Sequence, residues 1–164
     1  MDKSSSFQLH PFPPVCDKNS KILILGSFPS VRSRAEGFFY GHPRNRFWRV
    51  IAAVLGAEVP ESIDEKKRLL LENGIALWDA AASCEIHGSS DASMKRITPN
   101  DLDIIFKTGD IKKVFANGKQ AGDIYRAYLE KKTGLPITVL PSTSPANAAF
   151  SEEELVKRWK CIII

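Results

Sequence analysis

An uninterrupted apolar run, Ile22 to Leu25, that ends in Gly26-Ser27-Phe28-Pro29-Ser30 constrains this chain more than any other stretch. Four apolar residues with nothing polar between them fit a strand covered on both faces, as in a parallel sheet, and the glycine, serines and proline behind them break it. The loop over residues 27–43 carries three adjacent aromatics, Phe38, Phe39 and Tyr40, and a His42-Pro43 step; apolar periodicity then announces a helix from near Asn45. Ligands of open α/β sheets sit beyond the carboxyl ends of the strands, so this loop lies where chemistry is expected.

The remainder of the chain repeats the pattern. Phe47, Trp48, Val50, Ile51, Val54 and Leu55 recur at helical spacing before a stop at Gly56, and Ser62 with Glu65 reads as the capping box of a second helix ending at Asn73-Gly74. Ile75 to Ala82 predicts a second strand, 83–99 a long polar loop, and Asn100 the cap of a short helix through Phe106. Ile111 to Ala116 predicts a third strand, 118–132 a helix, Pro136 to Leu140 a fourth strand and Pro141 to Asn147 a tight loop. Ser151 with Glu154 opens a last helix, Glu152 to about Lys160. Strands alternating with helices imply a mainly parallel sheet with helices on both faces. Residues 1–9 carry few apolar side chains and read as a loose N-terminal tail; the proline-rich 10–15 read as extended chain laid against the core.

At 164 residues and 43% hydrophobic, the chain reads as one domain, 1–164, with a core of ordinary size. No apolar stretch reaches membrane-spanning length and the N-terminus lacks a hydrophobic signal region, so the expected location is cytoplasmic or nuclear, nucleoid-associated in a prokaryote. Cys16, Cys84 and Cys161 are scattered and odd in number, which fits reduced thiols and falls short of an iron–sulfur ligand set. The formal charge of +4 suits a polyanionic partner without requiring one. There is no HExxH, paired CxxC, GxGxxG or P-loop, so no metal and no cofactor is indicated; Asn117-Gly118-Lys119 offers at most a phosphate at a helix start.

Residues 21–48 resemble the first motif of the uracil-DNA glycosylase superfamily: a strand, a Gly-x-x-Pro-Gly/Ser turn, an aromatic loop, then His-Pro-x-Asn-x-Phe-Trp opening a helix. Gly74-Ile-Ala-Leu-Trp-Asp79, the later Cys84-x-x-x-Gly-Ser-x-Asp91 and Pro141-Ser-Thr-Ser-Pro-Ala-Asn147 extend the likeness over residues 10–160, towards the hypoxanthine-DNA glycosylase branch. The resemblance implies a three-layer α/β/α sandwich around a mainly parallel four-stranded sheet. It also implies a monofunctional enzyme that flips a deaminated base, hypoxanthine or else uracil, out of DNA and hydrolyses its N-glycosidic bond, with no membrane partner and as a monomer. Two other readings stand beside it: a non-catalytic nucleic-acid-binding module that kept the fold, and a hydrolase of free nucleosides.

Cutting a base from DNA requires a pocket for the flipped nucleotide, with a stacking surface and groups that read the base edge. Ser27, Phe28, Tyr40 and Asp79 are the base-binding candidates. Tyr40 stands where relatives place an aromatic under the base, with Phe38 and Phe39 able to line the same wall; packing in the core is the plainer role for all three. Asp79 ends a strand where relatives often carry an amide, and its carboxylate can accept hypoxanthine N1–H or uracil N3–H but offers the neighbouring carbonyl nothing; a local cap is the alternative. Most of the superfamily has Asp or Asn before the first motif's proline, whereas this chain has Phe28, which can neither orient nor deprotonate water. The resemblance therefore implies that Asn45 carries the catalytic amide, either orienting water or merely capping the helix that follows. Ser142 is the second catalytic candidate, at a position where relatives often have His; that imidazole's stabilisation of the transition state is absent here. Ser30, Ser89, Ser144, Pro145 and Asn147 are candidates for contacts to the DNA backbone, in loops of small polar residues. His42 reads as a brace of its loop.

Overall fold

In the computed structural model, residues 5–9, 12–29, 31–87 and 95–163 are described. In chain order the elements are β1 (Ser5–Leu9), β2 (Ile22–Gly26), α1 (Val31–Glu36), α2 (Phe47–Leu55), α3 (Ile63–Glu72), β3 (Ile75–Asp79) and β4 (Ala81–His87). There follow β5 (Lys95–Pro99), α4 (Asp103–Thr108), β6 (Lys113–Asn117), α5 (Lys119–Tyr128), α6 (Glu130–Thr133), β7 (Ile137–Leu140) and α7 (Glu152–Trp159).

Four strands, in the order β3-β2-β6-β7, form a wholly parallel sheet, with Ile22 opposite Ile75 and Lys113, and Val114 opposite Ile137. The apolar run of β2 is buried throughout because alternate residues serve two cores. Ile22 and Ile24 join Phe47, Ile51, Leu70, Leu155 and Trp159 on one face. Leu23 and Leu25 join Ile105, Ile124 and Tyr125 on the other. The result is the expected three-layer α/β/α sandwich, with α2, α3 and α7 against one face of the sheet and α4 and α5 against the other. No helix among the described residues is long and apolar enough to cross a membrane.

Local signals set the element ends. Gly56 stops α2 at φ 66°, in the left-handed region, with the Ala57 N–H returning to Ala52 C=O at 2.9 Å. Ser62 Oγ accepts from Glu65 N–H at 3.0 Å, and Ser151 Oγ accepts from Glu154 N–H at 3.1 Å, so both capping serines hold their helices.

Several expectations are corrected. Residues 5–9 of the supposed tail form β1, which pairs antiparallel with β4. The supposed loop 83–99 contains most of β4 and all of β5, so that β1-β4-β5 is a second, antiparallel sheet. Strand β3 ends at Asp79 rather than running to 82: Ala80 N–H still bonds Gly26 C=O as the ladder requires, but Ala81 already opens β4 and stands opposite Pro99. Asn100 caps nothing. Its buried Nδ2 donates to the carbonyls of Asp79 and Ala81 at 2.8 and 3.1 Å, fastening the exit of β3, and the short helix begins later, at Asp103. The helix expected over 118–132 is interrupted at Leu129, whose φ of −121° divides α5 from α6. Residues 10–15 do lie against the core where described: Phe12 and Val15 are buried, and Val15 bridges Leu77.

Within α5, Gly122 faces β7, and a Cβ there would come to 2.6 Å from Val139 Cγ2. Intrinsic helix propensity favours alanine over glycine by about 1 kcal/mol, but forcing a methyl into a filled interface costs about 1–3 kcal/mol. Gly122→Ala is therefore expected to lower stability in urea unfolding, and adding Val139→Ala to recover part of the loss. A Gly122→Ala protein more stable than the parent would show that β7 yields without strain.

Candidate functional site

The carboxyl ends of the parallel strands open into one cavity of about 680 Å³, within the usual range of ligand sites. The turn after β2 supplies Ser27 and Phe28, the following loop supplies Tyr40 and Asn45, β3 ends there with Asp79, and the 141–147 loop brings Ser142, Ser144, Pro145 and Asn147. The structure thus brings together every candidate that falls among the described residues. Ser30 and Ser89 lie outside them. Phe39 also lines the cavity, although almost wholly buried, whereas Phe38 does not: it stacks on Trp48 at 6.1 Å in the core.

The floor is set by backbone. Gly26 and Asp79 are register partners in the β2–β3 pair, and a Cβ on Gly26 would overlap the Asp79 carboxylate and lie 2.8 Å from the Tyr40 hydroxyl. Only a residue without a side chain lets those two groups approach. Asp79 is itself buried. Tyr40 occupies the left-handed region at φ 53°, uncommon for any residue but glycine and a frequent mark of functional sites. Its ring lies against Phe47 with centroids 4.1 Å apart. Phe28 forms part of the opposite core and carries the Arg34 guanidinium 5.5 Å from its ring centroid, while Arg34 Nη1 donates to Pro29 C=O at 3.1 Å. Burial lowers the Arg34 pKa, the buried Cys84 thiol acting the other way, yet a guanidinium stays charged at neutral pH.

A hydrogen-bond chain centred on a buried residue joins the ends of β6 and β7 to the start of α2. Thr143, with no exposed surface, donates its N–H to Asn117 Oδ1 at 3.0 Å and accepts from Asn117 Nδ2 on Oγ1 at 3.0 Å. Its hydroxyl then donates to Asn45 Oδ1 at 2.8 Å, and the same Oδ1 accepts from Phe47 N–H at 2.9 Å. Asn45 Oδ1 thus closes a turn onto the first residue of α2, whose N-cap is Arg46, and at the same time ties that turn to Thr143. Arg46 secures the loop from the other side: Nη1 donates to Phe150 C=O at 2.6 Å, and Nη2 to Ser144 and Asn147 C=O at 3.0 and 2.9 Å. Its backbone N–H reaches Thr143 C=O at 3.1 Å.

Within the loop, Ser142 Oγ accepts from Ser144 N–H at 3.1 Å, and Asn147 Nδ2 donates to Ser142 C=O at 2.9 Å. Gly118, at φ 94°, leaves room for this loop, as a Cβ there would stand 3.2 Å from that of Ser142. His42 is exposed and braces its turn: Nδ1 accepts from Arg44 N–H at 3.0 Å and its carbonyl accepts from Asn45 N–H at 2.9 Å. Lys119 is paired with Asp123 Oδ2 at 2.6 Å on the surface, and the Asn117 side chain is committed to Thr143. Among the described residues no group of three or more His, Cys, Asp or Glu is placed to hold a metal.

Sequence reasoning missed Thr143 and Arg46 as supports of the site, and it placed Asn117 only in a phosphate-binding turn, not as the partner of Thr143. Asn117 closes an apolar strand as Asp79 does, and that shared position was the available signal. Thr143 and Arg46 act through tertiary contacts that no local pattern displays.

The fold and cavity define an α/β/α domain with a ligand-sized pocket at the ends of its parallel strands. The sequence matches the model of the Uracil DNA glycosylase superfamily over residues 13–162, and the chain belongs to that superfamily; it is a DNA glycosylase. It is 37% identical over 139 residues to the hypoxanthine DNA glycosylase of Methanosarcina barkeri, covering 83% of this chain and 86% of that protein. To the hypoxanthine DNA glycosylase of Methanosarcina acetivorans it is 35% identical over 153 residues, 92% and 95% of the two chains. The solution NMR structure of a Methanosarcina acetivorans protein provisionally assigned as a uracil DNA glycosylase superposes with a TM-score of 0.77 at 33% identity, over 92% of this chain and 96% of that one.

Arg46→Ala would strip donors from three carbonyl oxygens. With hydrogen bonds to charged groups each contributing about 1.5–3 kcal/mol and water able to replace some of them, the expected loss is about 2–3 kcal/mol in urea unfolding. Arg46→Lys should recover only part, since an ammonium cannot reach both ends of the loop as a fork does. An Arg46→Ala protein of parental stability would mean that the loop holds without this residue.

Proposed function

We infer that the protein removes hypoxanthine from DNA by hydrolysis: the C1′–N9 bond breaks with its electron pair passing to the base, water bonds to C1′ and gives up a proton, and the base takes one. The observation that carries this reading is the convergence of Asp79, Tyr40 and Asn45 on one cavity at the strand ends; a base stacked in a duplex cannot present its edge and face to such a set of groups, so the nucleotide must flip to meet them. The relatives' names supply the base. Tyr40, held from behind by Phe47, offers a stacking surface; Asp79 accepts the N1–H of the purine; Asn45 is the polar group at the reacting bond, with Ser142 beside it. Ser144, Pro145 and Asn147 meet the DNA backbone, the protein working as a monomer. Among the described residues no lysine lines the cavity, which favours water over an amine as nucleophile.

The deciding experiment is single-turnover incubation with duplexes carrying one inosine, uracil or unmodified base, followed by alkaline cleavage of abasic sites. Inosine should be cut fastest. Binding without cleavage would make the protein a nucleic-acid-binding module, and release of hypoxanthine from free inosine at a comparable rate would make it a nucleoside hydrolase.

Asn45→Ala should slow cleavage by about 10²-fold or more, the scale of one hydrogen-bonding catalytic group, while leaving DNA affinity near that of the parent. Asp79→Asn should shift base preference: the new amide N–H can pair with uracil O4, so the uracil-to-inosine rate ratio should rise. Equal losses on both substrates would make Asp79 a brace of the pocket and not a reader of the base.

A further inference from the structure

The hydrogen-bond chain behind Asn45 has a fixed direction. The Thr143 N–H can only donate, so the Asn117 atom facing it is Oδ1 and the other is the NH₂ group, which donates to Thr143 Oγ1. The Thr143 hydroxyl must then spend its one proton on Asn45 Oδ1. Phe47 N–H, an obligatory donor, fixes the same oxygen independently. Two backbone N–H groups thus determine, without reference to any ligand, which end of the Asn45 amide is which.

The consequence is chemical. An amide oxygen has two lone pairs, and both are occupied by protein donors, whereas Asn45 Nδ2 makes no hydrogen bond to any described residue and Asn45 lines the cavity. We propose that Asn45 works as a hydrogen-bond donor to the departing base, stabilising the negative charge that reaches the purine nitrogens as C1′–N9 breaks, and not as an acceptor that draws a proton from water. Thr143 is the positioning residue that holds the amide in this sense. Water attacks a sugar already bearing positive charge, so a weakly activated nucleophile suffices, and its proton leaves to solvent. This rests on the glycosylase reading of the site and narrows what Asn45 does there.

Asn45→Asp separates the two roles. It retains an oxygen able to accept from Phe47 and Thr143, but at neutral pH it replaces the donor with a second acceptor. As a donor site, Asn45→Asp should be no faster than Asn45→Ala at pH 7–8, both about 10²-fold or more below the parent. The ratio of the two variants should rise as pH falls towards the carboxyl range near about 4, where a protonated carboxyl can donate. His42, Asp79 and Tyr40 also line the cavity, and comparison with Asn45→Ala at each pH cancels their titration. Thr143→Val should cost about tenfold in the single-turnover rate, the effect of one neutral hydrogen bond, and nothing further in an Asn45→Ala background, while Thr143→Ser retains most activity. An Asn45→Asp protein at or above the parental rate at neutral pH, or one whose rate relative to Asn45→Ala climbs with pH, would make Asn45 an acceptor for water and overturn the proposal. So would a Thr143→Val loss undiminished in the Asn45→Ala background. A parent that leaves the inosine duplex intact removes the glycosylase reading itself and this assignment with it, whereas an active parent confines any failure to the role of Asn45.

Discussion

The exchange of hydrogen bonds around Thr143 is the contact on which the site depends. Through one buried residue the loop after β7 is tied to the end of β6 by Asn117 and to the start of α2 by Asn45 and the Arg46 backbone. Every partner is polar and the hub is wholly buried, so each group left unpaired would carry a desolvation cost of about 1–3 kcal/mol. Such a network holds its members in one arrangement or none. The loops that follow β2 and β7 are therefore better described as one structure, with Arg46 clasping its outer side, than as two flexible segments that meet on substrate.

The central sheet was legible in the sequence because its strands are short, apolar and bounded by turn residues, and because their partners are other strands of the same kind. The second sheet was not. β1 reads as five residues with two large apolar side chains, and its partner β4 lies some seventy-five residues away behind a polar pattern with two register shifts. Nothing local distinguishes such an edge ribbon from loop. Asn100 illustrates the converse: its sequence neighbourhood reads as a helix cap, but the bend from β3 into β4 leaves two buried carbonyls that need a donor, and that demand prevails.

The site was partly legible for a different reason. Ser27, Tyr40, Asn45, Asp79 and Ser142 all stand at the end of a strand or in the segment that follows one, so the position rule for α/β sheets finds them without knowledge of their chemistry. What it cannot find is support. Arg46 reads from sequence as one more basic residue near a helix start, and its importance lies in three carbonyls about a hundred positions further along the chain.

Gly26 sits where the sheet stops and the cavity begins, and its register partner is Asp79. The floor at this point is bare backbone, and what stands over it is the Asp79 carboxylate and the Tyr40 hydroxyl. Headroom above Gly26 is thus shared between two side chains from different segments of the chain: a smaller residue at position 79 or 40 would raise the ceiling, whereas any larger residue at position 26 would be met by both.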